Sequence, residues 1–274
     1  MPRYCSDGMK SITWIAIFTV LALTGAGMGL LLTGGLSQED IPVPPDPLPG
    51  DQPKGITLIT SFPPSPETAA VYSVIGHTVF SFGGPEIMDI RENIPTEEEA
   101  PGLAEQALGQ YGGLPGDAVL AGVEQVTVKQ YNLATGAVEA EFPRYTAVTW
   151  RQQVADHPVV GPGAGITVGL GEDGEVLQVE KVWRLLEYDH EIPIISAVEA
   201  FEKLERRELV RLPQCSLDGL HISDIQLGYY AEDRDHDQEF FLPVWIFYGT
   251  IHPEIDQTLY PFIVDAVKYP APIE

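Results

Sequence analysis

The sequence predicts an α+β fold: tandem units, each of one helix packed on an antiparallel β-meander, carried behind an N-terminal transmembrane helix. Three observations lead there. No charge appears between Lys10 and Glu39, two helix-start signatures recur one hundred positions apart, and each is followed by segments in which apolar and polar residues alternate.

The chain is read in five pieces: a cytoplasmic N-terminus (1–10), an anchor (11–33), a stalk (34–55) and two α+β units (56–190 and 191–274). As a helix, Ile12 to Leu32 would measure about 30 Å, the thickness of a bilayer's hydrocarbon core. Arg3 and Lys10 precede this run, and Glu39, Asp40 and Asp46 follow it. The positive-inside bias therefore places the main domain outside the cell, as a single-pass protein of the cell membrane. A cleavable signal peptide is the rival reading, since Thr24-Gly25-Ala26 offers small residues for a cut, but "GMGLLL" prolongs the apolar stretch beyond it and favours an uncleaved signal anchor. Gly25 and Gly29 form a small-xxx-small pair that would allow a homodimer of such helices. Residues 37–55 then carry six prolines and no apolar period, the pattern of an extended spacer.

In the first unit, Thr96 and Glu99 make a T-x-x-E box ahead of Ala100, Leu103, Ala104, Ala107 and Leu108 at helical spacing. Val126 and Val128, then Val148, Trp150 and Val154, alternate with polar residues as half-buried strands do, and Asp173-Gly174 turns the next hairpin. The pieces "AAVYSVIG" and "TVFSF", between residues 69 and 82, read as strands without an assigned place. In the second unit, Ser196 and Glu199 repeat the box, with Ala197, Ala200, Phe201 and Leu204 as the apolar stripe; "LHISDIQLGYY", "FFLPVWIFYGTI" and "LYPFIVDAV" follow as strands.

A net charge of −25 makes nucleic acid and anionic lipid poor partners. Cys5 and Cys215 fall on opposite sides of the proposed anchor, so no disulfide joins them. The six histidines are scattered without zinc-ligand spacing, and no nucleophile elbow, phosphate loop or dinucleotide fingerprint occurs, so neither a cofactor nor catalysis is expected.

The stretch that most resembles chemistry is "EDRDHDQEFFLPVWIFYG", residues 232–249. Asp233, Asp235 and Asp237 open like a calcium loop, but Gln238 stands where glycine is needed and Val244 where the bidentate glutamate should be. A looser cation site of Asp233, Asp235, Asp237 and Glu239, in a calcium-dependent binding or hydrolytic surface domain, is the alternative to a solvated hairpin tip over 231–239. Pro243 assigns the following strand to an edge, a bulge or a strand start. Tyr229, Tyr230 and Trp245 head a cluster of aromatics and are the candidate binding residues, as a partly exposed aromatic surface suits peptide or protein recognition.

Two family resemblances rest on these segments. "WRQQVADHPVVGPGAGITVGLGEDGEV", residues 150–176, resembles the repeat of PepSY-type domains and peptidase propeptides, with Asp156 where that pattern has glycine. "LGYY", "LPVWIF" and "FIVDA", within 227–266, are similar to the membrane-anchored YycI-type regulators of two-component sensor kinases. The resemblance implies a PepSY/cystatin-like fold and a non-catalytic role outside the membrane, inhibiting a peptidase or modulating a membrane sensor through contact with another extracytoplasmic or membrane protein.

Overall fold

The computed structural model describes residues 55–84, 92–132, 135–212, 216–251, 253 and 257–269. Alternating sequence becomes strand nearly throughout: β1 (Ile56–Leu58), β2 (Thr68–Gly83), β3 (Ala118–Tyr131), β4 (Val138–Val154), β5 (His157–Val160), β6 (Gly165–Leu170), β7 (Val176–Pro193), β8 (Leu220–Tyr230), β9 (Phe240–Phe241), β10 (Pro243–Ile251) and β11 (Tyr260–Asp265). Two nine-residue helices, α1 (Ala100–Leu108) and α2 (Ala197–Glu205), interrupt them.

These strands form one mixed sheet rather than tandem meanders. Along its main path the order is β11-β10-β8-β5-β4-β6-β7-β2-β9, with β1 added to β8 and β3 to β4. The pairings of β1 and β5 with β8 are parallel, and the others are antiparallel. This corrects the expected α+β arrangement of helix-on-meander units. Residue alternation reveals which face a strand buries but not which strand lies beside it. The residue 190/191 position lies inside β7, whose partner β2 combines both unplaced N-terminal pieces into one strand bent by register shifts at Val71/Tyr72 and Val74/Gly76.

The single-pass, signal-anchored, extracytoplasmic membrane reading is likewise set aside: no helix among the described residues is long and apolar enough to cross a membrane. The segments on which it rested, 1–10, 11–33 and 34–54, lie outside the described residues, as do Cys5 and Cys215.

The core has three main centres. Ala100, Ala104 and Leu108 of α1 pack on Val148, Trp150, Ile166, Val168 and Trp183. The α2 stripe of Ala197, Ala200 and Leu204 meets Ile222, Ile225, Trp245, Phe247 and Val264. Between them, Val154, Val159, Ala164, Tyr229 and Phe241 form a smaller cluster where β5 joins β8 to β4. That junction needs Gly228: a Cβ there would sit 2.5 Å from both the Pro158 carbonyl oxygen and Ile246 Cδ1.

The box at Ser196 caps α2, with the Glu199 amide donating to Ser196 Oγ and the Ser196 amide to the Glu199 carboxylate. Thr96 and Glu99 exchange the same bonds, but the box closes a turn ahead of α1, which starts at Ala100 with Pro101 in its first turn.

Candidate groove beside strand β8

A groove of about 800 Å³ opens beside the middle of β8, within the size range of ligand pockets. One wall is Pro63, Pro64 and Pro66, which follow β1. The opposite rim is Ala155, Asp156, His157 and Pro158 at the β4–β5 turn, and β2 and β7 add Thr68, Tyr72, Tyr188 and Glu191. Prolines place the first wall. After the Ile59 amide donates to the Ile222 carbonyl at 2.9 Å, the chain reaches residues without an N–H and leaves the ladder. It is then held elsewhere, by Ser65 Oγ accepting from the Ala197 amide at 3.0 Å and the Glu67 carbonyl accepting from Ile194 at 3.1 Å.

The aromatic floor is pinned by hydrogen bonds. Trp245 Nε1 donates to the Ile195 carbonyl at 2.9 Å, and the Tyr229 hydroxyl donates to the Ala70 carbonyl at 3.0 Å. Tyr72 stands edge-on to both Tyr229 and Tyr188, at centroid distances of 5.3 and 6.2 Å. Burial, followed by the neighbouring Tyr72 and Glu191, pushes the Tyr229 hydroxyl up, and burial followed by Glu191 does the same to Tyr72. Both phenols are therefore neutral hydrogen-bonding groups at physiological pH. Tyr188, at 58% exposure, and half-buried Tyr72 supply the reachable aromatic area above fully buried Trp245 and Tyr229.

Of the candidate binding residues, Tyr229 and Trp245 thus meet in one groove. Tyr230 points to the other face of the sheet, against Val244, Ile246 and Ile263. Tyr72, Tyr188 and His157 were not anticipated; the X-Pro steps at His157 and around Pro63 were the available signal, since prolines interrupt ladders and leave room beside them.

The acidic stretch is a loop between β8 and β9, within the connection that joins β8 to its antiparallel partner β10 while β9 pairs with β2, and its interior is occupied by a cation of the protein's own. Arg184, 1% exposed, donates through Nη2 to the carbonyls of Glu232, Asp233 and His236 at 3.2, 3.1 and 3.3 Å, and through Nη1 to Gln238 Oε1. Gln238 Nε2 ties back to the Tyr230 and Phe240 carbonyls at 2.8 and 3.1 Å. The inward carbonyls that a calcium loop would offer to a metal are spent on a guanidinium. Asp233, Asp235, Asp237 and Glu239 remain around the rim, and among the described residues no group of three or more His, Cys, Asp or Glu side chains is placed to hold a metal.

No family model matches the chain, and no curated protein matches it. Among solved structures, the chain is similar to an uncharacterized protein from Eubacterium rectale ATCC 33656, at 13% identity and a TM-score of 0.35. That likeness covers 66% of this chain and 56% of the other, so the chain spans little more than half the length of this neighbour.

Proposed function

We propose that the protein is a non-catalytic binding module that regulates another protein by holding a segment of it in the groove beside β8. The observation that carries this reading is the convergence of Tyr72, Tyr188, Tyr229 and Trp245 on one concave surface whose edge carries Asp156, His157 and Glu191, aromatic area beside polar groups as in protein interfaces. The floor is held in place before any partner arrives, through the bonds of Trp245 to Ile195 and Tyr229 to Ala70, which lowers the ordering cost of binding. The PepSY- and YycI-type resemblance supplies the partner class, a peptidase or a sensor kinase.

The test is site-specific photo-crosslinking of the full chain in its native cells. A photoreactive residue replacing Tyr188, exposed at the groove, is expected to give discrete protein adducts that excess unlabelled protein suppresses. The same group at Val119, exposed on β3, gives none of them. Identical adducts from both positions, or none from 188, would reject the reading.

A further inference from the structure

The groove coincides with a break in the sheet. Along one edge of β8, β1 pairs with Leu220 to Ile222, and β5 pairs with Tyr229 and Tyr230. Among the described residues no strand pairs on this edge between those points, although β10 continues along the opposite edge. A register shift there leaves Ser223 as an extra residue, so the side on which alternate backbone groups emerge changes within the break.

The orientation beyond the bulge follows from two bonds. The Ala231 amide donates to the Val160 carbonyl, and His157 Nδ1 bonds the Leu227 carbonyl at 3.2 Å. Odd-numbered residues of this part of β8 therefore turn their backbone groups toward the β5 side, as the two-residue pleat requires. Ile225 and Leu227 consequently face the groove. The Ile225 amide already bonds Asp224 Oδ1 at 2.9 Å, and the Leu227 carbonyl has His157. What faces the groove is the Ile225 carbonyl and the Leu227 amide, the acceptor and donor that one residue of an added parallel strand engages.

Charge selects among extended segments. The lining includes Asp156 and Glu191 and contains neither Lys nor Arg, and the chain as a whole carries −25. Tyr188, the exposed aromatic on this rim, offers a face to a cationic side chain. The chain's own residues 37–54, with four acids and one lysine, suit this surface poorly.

Building on the binding reading above, we infer that the groove takes an extended, lysine- or arginine-bearing peptide segment, which completes the parallel ladder on β8 between β1 and β5. Its backbone bonds Ile225 and Leu227, its apolar side chains enter above Tyr229 and Trp245, and its cations meet Asp156 and Glu191.

Calorimetric titration of the full chain tests this with capped peptides of about eight to ten residues. The probes are an alternating Lys-Val peptide, its Glu-Val counterpart, the Lys-Val peptide N-methylated at its central amides, and a peptide copying residues 40–49. The Lys-Val peptide is expected to bind at least tenfold more tightly than any other probe. Asp156→Asn with Glu191→Gln is expected to weaken it about tenfold, while Glu105→Gln on α1 leaves it unchanged. Asparagine tolerates the backbone at 156, and a melting curve checks that the double variant is folded.

Absence of Lys-Val binding, equal binding of the Glu-Val or 40–49 peptide, or indifference to N-methylation would each overturn the inference. Such failure alongside specific adducts at position 188 would sink the basic-strand inference and leave the protein-binding reading standing. Lys-Val binding without adducts would do the reverse.

Discussion

At Ala155 and Asp156 the backbone adopts φ values of 46° and 67°, the left-handed pair of a tight hairpin turn that normally favours Asn-Gly. The turn forms the rim of the groove, where Asp156 also carries charge. A side chain in this region costs roughly 1–2 kcal/mol and glycine's extra flexibility returns part of that. Ala155→Gly is therefore expected to stabilise the fold by about 0.5–1 kcal/mol, raising Tm by roughly 2 °C in a melting experiment. The opposite outcome is expected at Gly228, where an alanine Cβ would collide with the Pro158 carbonyl. Gly228→Ala should cost about 1–3 kcal/mol by overpacking, read as a lower denaturant midpoint. Arg184 organises the 232–238 tip, because one guanidinium satisfies four of its acceptors. Arg184→Met should lower stability by about 3 kcal/mol and remove hydrogen-exchange protection from that tip. The acids of this loop were legible in the sequence. Their organiser was not, because Arg184 lies about fifty residues upstream within a strand pattern and no local spacing links the two.

The elements differ in how far their own residues determine them. The cap of α2 is encoded within four residues, and Ser196→Ala is expected to cost about 1 kcal/mol in chemical denaturation. Its partner Glu199 has a carboxyl held below the usual range, first by the Ser196 amide and then by the Ser196 hydroxyl. A depressed folded-state pKa gives stability that is present above the unfolded carboxyl value, about 4.3. It is lost as pH falls through the folded value. Stability measured against pH should therefore fall less steeply below about pH 4 in Glu199→Gln than in the parent. Helix positions, capping boxes and most strand segments were readable because they obey local periods. The sheet order was not: β8 takes partners from β1, β5 and β10, and nothing in "LHISDIQLGYY" specifies that two of these arrive in parallel. The groove shared this fate. Tyr229 and Trp245 stood out as aromatics, but the space above them depends on prolines from a segment whose position was unassigned.

Across the whole molecule, continuity of the sheet replaces the expected pair of independent units. β7 runs through residues 190 and 191, β2 pairs along its full length, and β5 ties β4 to β8. Because the described residues offer no surface along which halves could part without breaking ladders, the folded region should melt in one calorimetric transition. Two resolved transitions would contradict this architecture. The pairing of Ile56 with Leu220 carries a further consequence for how the chain is made. At a translation rate of about 5–20 residues per second, the first strand leaves the ribosome roughly ten to thirty seconds before its partner is synthesised. During that interval a nascent apolar edge must be shielded, so chaperone demand during synthesis should exceed that of a protein whose neighbouring strands emerge together.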